Sequence, residues 1–350
     1  MNPIIELFRG IGAWMVLNSH YAQYLFDDRS VLNFLWTGVY LFFVISGFVF
    51  AGTILYKDIG IIPFALRRFF RIYPLYAVSL VFYFFLVQDD PQKIIYFIKH
   101  LFFLNTIVSL KETFFFNPAY WSLPPEVEFY MSIPILIYIR KRYGQRVILF
   151  LLPFLLGIRF ILVLNQSDPS VSENIFNILG VHLPGKAPEF FTGILLYKAY
   201  ERYSANNVYF LYPLLSLVSG ICILFVLGWY FVAYGDAGIN KYIFIKAFYT
   251  FFCSVGYALI LFSVLIFFNK KENMRFAPQF LFIGSLSYSV YLFHSLAPLV
   301  ISKTGIALSK PIAYIICSVA VFLLSIPCSR YIENPCRNFG KDLSVAFGKR

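Results

Sequence analysis

The sequence is short of charge. Only 13% of its 350 residues are Asp, Glu, Lys or Arg, against about 25% in a soluble domain, and that deficit excludes an ordinary soluble fold. Histidine is scarce too, with four residues: His20, His100, His182 and His294. No cysteine or carboxylate cluster accompanies them, so no metal site is expected. The five cysteines (Cys222, Cys253, Cys317, Cys328, Cys336) show no paired spacing. They read as small packing residues, which excludes a disulfide or zinc framework. Internal repeats, low-complexity tracts and long polar stretches are missing as well. The first apolar segment has no small-residue cleavage site, so no cleavable signal peptide is expected.

Apolar surface is what the chain has in abundance: 60% of residues are hydrophobic and 21% aromatic. Long apolar runs without alternation point to an all-α, polytopic transmembrane bundle and away from an outer-membrane barrel. Runs long enough to span occur at about 4–24, 35–55, 72–88, 122–140, 147–164, 187–200, 209–233, 244–268, 280–301 and 310–330. The net charge of +12 lies in short basic clusters between these runs. That is the positive-inside pattern, and it argues against nucleic acid as the partner. The clusters at Lys57 to Arg71, Arg140 to Arg146 and Lys270 to Arg275, with the tail after 329, are expected in the cytoplasm. The acids Asp27, Asp28, Asp89, Asp90, Asp168 and Asp236 then lie outside. These assignments agree only if 94–108 lies on or re-enters from the outer face, which gives ten crossings with both termini cytoplasmic. Residues 1–335 form the membrane domain and 336–350 a short basic tail. The largest outer loop, 165–186, reads as a lid or a connector.

The first span carries a polar stripe. Arg9 and His20 differ by a whole number of helical turns to within roughly 20°, about 16 Å apart along the axis, and Glu6 lies one turn below Arg9 on the same face. Each intramembrane charge costs about 2.5 kcal/mol or more, so such a stripe either holds helices together or lines a route through the protein. With the expected topology, His20, Glu126, Arg159, Glu189 and His294 fall in one outer layer, while Arg9, Arg67, Arg68 and Arg71 gather at the inner side. Arg159 and Glu189 read equally as a structural ion pair. Arginines hold phosphate oxygens bidentately, and a histidine oriented by a carboxylate deprotonates a hydroxyl. The arginine trio has a plainer reading as a topology signal. Ser46-Gly47 and Ser287-Tyr288 read as close-packing positions.

Several motifs, in order, resemble those of the membrane-bound acyltransferase 3 family, which O-acylates extracytoplasmic carbohydrates in bacteria. Glu6 to Ala13 with His20 is similar to its Arg-x10-His signature. Gly38 to Phe48 is similar to its second-helix pattern, with Tyr40 where a polar residue is common. Arg67-Arg68-Phe69-Phe70-Arg71 is similar to its basic motif. Trp121-Ser122-Leu123-Pro124-Pro125-Glu126-Val127-Glu128-Phe129-Tyr130 resembles its Trp-Ser-Leu-x-x-Glu-x-x-Phe-Tyr motif, with Val127 in place of a frequent acid and a double proline that stiffens the helix entry. Pro188 to Gly193 and Gly284 to His294, which includes Tyr288, complete the series.

The resemblance implies an acyl-CoA donor, most often acetyl-CoA, arriving from the cytoplasm of a bacterial inner-membrane protein. It implies a polysaccharide or lipid-linked glycan acceptor outside. His20 becomes the catalytic base, with Arg9 and Glu126 beside it in the chemistry, and Arg67, Arg68 and Arg71 become candidates for the CoA phosphates. Glu6, Arg159, Glu189, His294, Tyr288 and Trp121 form a substrate-binding or structural polar layer. Some family members carry a further C-terminal esterase-like domain, and this chain reads as a version without it. Two other readings stand beside this one: a transporter or flippase for a lipid-linked sugar, and a non-catalytic scaffold of a polysaccharide machine.

Overall fold

A computed structural model describes residues 2–26, 29–107, 109–167, 174–204, 210–268, 275–306 and 308–348. Among these no strand occurs. Fourteen helices carry the architecture: α1 Pro3–Tyr21, α2 Gly38–Tyr56, α3 Ile61–Leu86, α4 Lys93–Leu101, α5 Leu123–Tyr143, α6 Gln145–Leu164, α7 Ile175–Val181, α8 Leu183–Ser204, α9 Leu211–Lys241, α10 Ile243–Phe268, α11 Ala277–Phe293, α12 Leu296–Thr304, α13 Lys310–Cys328 and α14 Asn334–Gly348. Short turns at Val31–Phe34, Leu110–Thr113 and Pro118–Ser122 link them.

Nine of the ten expected spans coincide with long helices, and the tenth, 280–301, with the bent pair of α11 and α12. Six of these are long and apolar enough to cross a membrane, and α11 with α12, bent by 46° at their joint, makes a seventh. The long helices α1, α5 and α8 fall outside that set because they carry charge: Glu6 and Arg9 on α1, Glu126 and Glu128 on α5, Lys186 and Glu189 on α8. Each turns a buried face to the bundle, where protein replaces lipid around Glu6 and Glu189. From Ala187 to Ile194 the side of α8 is buried without interruption.

Helix α2 is the centre of the bundle. Its residues Val39 to Ile54 are almost all buried, and Phe43 stacks on Phe190, which stacks in turn on Phe129. This column ties α2, α8 and α5 together. The α2–α8 contact is a glycine seam. A Cβ at Gly47 would lie 1.9 Å from the Phe190 carbonyl oxygen, and one at Gly193 would lie 2.0 Å from that of Val44. Only residues without a side chain let two backbones approach so closely.

Four features differ from the sequence reading. Helix α9 continues past the expected end near 233 through a break at Gly235, where φ is +62°, so Asp236 sits on its second segment and not in a loop. The expected span 280–301 is broken at His294, between α11 and α12. The loop 165–186 contains α7 and the first turn of α8, because Asn174 caps α7 through the Phe176 amide. Residues 334–348 form a helix that follows α13 through a five-residue π turn, Ser329–Glu333. It packs on the start of α3, with Phe339 against Phe70. Asp27, Asp28, Asp168, Lys270 and Lys271 lie outside the described residues.

Segment 94–108 holds only a nine-residue helix, α4, about 13.5 Å long and too short to span. The chain after it dips inward: Asn105, Phe116, Asn117, Tyr120 and Ser122 are all buried. Helix α5 therefore begins inside the bundle, and this decides where Glu126 lies.

Candidate active site

Two cavities share the interior, and they have no lining residue in common. The central one is narrow, about 50 Å³, and Arg9, Arg71, Ser122, Glu126, Tyr130, Tyr288 and Tyr291 line it. Arg9 Nη1 lies 3.5 Å from Glu6 Oε1. Glu6 is buried against Gly284, where a Cβ would come within 2.4 Å of its own Cβ. The acid is thus held by backbone packing, and it holds one edge of Arg9. The guanidinium of Arg71 faces the cavity with no hydrogen bond to the described residues. Glu126 accepts hydrogen bonds from Tyr130 Oη and, at 3.3 Å, from Ser46 Oγ. Tyr288 Oη donates to the Ile72 carbonyl at 2.8 Å. Two guanidinium groups, one carboxylate and several phenols in so small a volume suit a polar, anionic or carbonyl-bearing group.

The arginine trio divides. Arg71 reaches the central cavity, Arg67 is exposed and donates to the Pro63 carbonyl, and Arg68 lies over the Phe50 ring with its guanidinium carbon 4.9 Å from the centroid. Arg68 also lies 5.8 Å from the Tyr130 ring centroid, so its side chain sits just behind the wall of the central cavity. An i, i+4 spacing puts positions 67 and 71 on one face of α3, with position 68 beside them.

The second cavity, about 490 Å³, is lined by His20, Gln23, Phe114, Phe115, Ser295 and Lys303, among others. His20 closes α1 and His294 caps α11, and the two imidazoles meet with centroids 4.8 Å apart. His294 Nδ1 lies 2.8 Å from the Tyr291 carbonyl, and His20 Nδ1 lies 2.9 Å from the Val16 carbonyl. A carbonyl only accepts, so each Nδ1 carries the proton. His294 Nε2 is then an acceptor, 3.1 Å from His20 Nδ1. The lone pair of His20 is left on Nε2, the atom a base would use. Among the described residues no carboxylate orients His20, contrary to the sequence expectation. A backbone carbonyl and a second imidazole do so.

Tyr291 is the partition. Its ring lines the central cavity and lies 6.3 Å, centroid to centroid, from the His294 ring. Its hydroxyl is 2.5 Å from Ser122 Oγ and donates to the Ala119 carbonyl at 2.8 Å. Phe42 meets the ring edge-on at 5.6 Å.

The single outer layer expected from sequence does not form. His20 and His294 are together, but Glu126 belongs with Arg9 and Arg71, because the largely buried stretch 116–122 starts α5 inside the bundle. Arg159 and Glu189 form a third group. They are ion-paired, and Thr250 bonds both, donating to Glu189 Oε1 at 2.9 Å. All three are buried, which is the structural ion-pair alternative. Trp121 lies apart from these, against the Tyr40 ring and under the Lys186 ammonium, 5.6 Å from its centroid.

Sequence reasoning passed over several polar groups. His182 bridges Glu128 and Thr106, and Glu128 also accepts from the Leu183 amide at 2.7 Å. This network fastens the inward loop to the start of α8. Ser122 was quoted as part of a motif but not as a partner of Tyr291. Glu333, buried on the π turn, had no signal beyond its being an acid next to an apolar run.

A family model described as an acyltransferase domain matches residues 2–330. The chain belongs to the acyltransferase 3 family. It is also similar to the "Putative acetyltransferase ORF330" of Acidianus two-tailed virus, 26% identical over 319 residues that cover 89% of this chain and 88% of the viral one. No solved structure matches it. This acyltransferase is accordingly a multi-pass, helical membrane protein whose polar groups lie at the two cavities, in the buried Arg159–Glu189 pair and in the His182–Glu128 network.

Proposed function

We propose that this acyltransferase moves an acyl group, acetyl foremost, from cytoplasmic acyl-CoA to a hydroxyl of an extracytoplasmic polysaccharide or lipid-linked glycan. In this reading α1, α5 and α8 also cross, which gives ten spans with both termini in the cytoplasm of a bacterial inner membrane. The distribution of Lys57, Arg67, Arg140, Lys141, Arg142, Arg146 and Arg275 at alternate helix ends supports that orientation.

The observation that carries the proposal is the division of chemistry along α1: guanidinium groups at one end, an imidazole whose Nε2 makes no hydrogen bond to the described residues at the other, and one tyrosine between. The pantetheine arm enters past Arg68 and Tyr130. Arg9 and Arg71 line the path of the arm, and the Tyr291–Ser122 contact parts to admit the thioester to the cavity of His20. His20 Nε2 takes the proton of the acceptor hydroxyl as its oxygen attacks the carbonyl carbon; the carbon–sulfur bond breaks and the CoA thiolate leaves. Glu126, held by Tyr130 and Ser46, sets the charge balance of the arginines. The paired burial of Arg159 and Glu189 supports a structural role for that pair, while the partly exposed Trp121 offers an aromatic face to a sugar.

The test uses acetyl-CoA labelled in the acetyl group, membranes containing the enzyme, and envelope polysaccharide as acceptor. Label enters the polysaccharide with the wild type and not with His20→Ala. Incorporation that survives His20→Ala removes the imidazole from the mechanism.

A further inference from the structure

Near its start, helix α8 carries a lysine that the chemistry above leaves unused. Lys186 is half-buried, and its ammonium lies 5.6 Å from the ring centroids of both Tyr40 and Trp121. Among the described residues it has neither a hydrogen bond nor an ion pair. Glu189, one turn along the same helix, gives its Oε1 to Arg159 and to Thr250. These three ionisable groups therefore hold one more cation than carboxylate. Ring faces attract the ammonium, but its three N–H donors still lack acceptors.

The rings continue away from Lys186. Trp121 meets Tyr40 at 6.4 Å, Tyr40 meets Trp36 at 5.5 Å, and Trp36 meets Phe231 at 6.4 Å, centroid to centroid. Arg29 stands at the far end, its guanidinium carbon 5.9 Å from the Phe231 centroid. It is exposed, and its one hydrogen bond to the described residues runs from Nη1 to the Val232 carbonyl, at 3.5 Å. Gly235 makes room for it, since a Cβ there would lie 2.2 Å from the guanidinium carbon. Tyr40 and Phe231 are buried backing, whereas Trp36 and Trp121 are half-exposed. Two accessible indoles thus lie between two cations.

The position of this row ties it to the reaction. The turn Leu35–Thr37, which holds Trp36, packs on α1, the helix that ends beside His20. Trp121 directly precedes Ser122, whose Oγ is 2.5 Å from Tyr291 Oη. A sugar on the Trp121 indole is therefore next to the contact that parts in the proposed transfer.

We propose that Lys186 and Arg29 select an anionic acceptor: the sugar that stacks on Trp121 belongs to a chain bearing carboxylate or phosphate groups, and Lys186 binds one of them. The inference rests on the reading that a glycan is the acceptor. The apolar C–H face of a pyranose covers the indole while its charged substituent takes up the ammonium's spare donors. A neutral glycan leaves those donors unpaired.

The experiment uses acetyl-CoA labelled in the acetyl group and envelope polysaccharide in three forms: native, carboxyl-reduced, and stripped of phosphate with cold hydrofluoric acid. In the wild type one treatment lowers kcat/KM for the polymer by about tenfold, the worth of one charge-assisted hydrogen bond, and the effective treatment identifies the anion. Lys186→Gln lowers kcat/KM for the native polymer by the same factor, through KM, and lowers it far less for the neutralised polymer. Lys186→Arg keeps the preference for the native polymer, and Arg29→Gln weakens it several-fold. Equal acylation of all three polymers by the wild type overturns the anionic acceptor, while transfer to a glycan stands. A Lys186→Gln variant with a lowered Tm and equal losses on native and neutralised polymer makes the lysine a residue of the fold and overturns its selective role. Absence of label from every polymer overturns the glycan reading itself.

Discussion

The central cavity and the outer histidine cavity differ in nearly every physical respect. The first is narrow, cationic and walled by tyrosines; the second is some ten times larger, open, and ends in two neutral imidazoles. Fixed positive charge suits an anionic or polar part of a donor, and a neutral base suits a proton that must be taken. Placed in one chamber, the guanidinium groups would disfavour protonation of the imidazole. Separation along α1 removes that conflict, and in the proposed reaction the Tyr291–Ser122 contact shields the donor from water until it parts for transfer.

The comparison can be broken most severely at its outer end. His20→Ala should lower acyl transfer by about 10²–10⁴-fold, the usual worth of a general base, with the amount of folded protein in membranes unchanged. His294→Ala should cost less than His20→Ala, since Val16 still orients the base; equal losses in single-turnover transfer would show the two imidazoles acting as one unit. Next in size is the structural pair. Glu189→Ala leaves Arg159 buried without its partner, which should cost about 3–5 kcal/mol, read as a lowered Tm of detergent-solubilised protein. At the inner end, Arg71→Lys keeps the charge but loses the planar fork. It should weaken donor binding by about 1.5–3 kcal/mol, measured as donor affinity in a His20→Ala background. The smallest effect sharpens the partition: Tyr291→Phe removes one hydrogen-bonding hydroxyl, about 1 kcal/mol, and should raise acceptor-free hydrolysis of acyl-CoA several-fold.

Much of the bundle was legible because length and hydropathy report long apolar helices directly, and nine of the ten apolar runs are long helices while 280–301 is a bent pair. The stripe on α1 was legible for the same reason, since helical geometry fixes which residues share a face. Glu126 was misplaced because depth was assigned by counting from the end of an apolar run. That count assumes each helix starts at the rim, and the buried residues Phe116, Asn117, Ala119 and Tyr120 just before α5 break the assumption. The His20–His294 pair could be narrowed to a layer but not to a contact, as 274 positions separate them. The parting of Arg71 from Arg67 and Arg68 depends on what α14 and α5 present to α3, and neither face is visible in a linear pattern. His182 escaped notice for a similar reason: its partners Glu128 and Thr106 come from segments 54 and 76 residues away.

The glycine seam between α2 and α8 reaches further than packing. Ser46, which donates to the carboxylate of Glu126, is the immediate neighbour of Gly47. A methyl at position 47 would push against the carbonyl of Phe190 and drive the two helices apart, taking the serine hydroxyl away from the acid it steadies. The absence of a side chain at one residue thus acts as a spacer gauge for a carboxylate on a different helix.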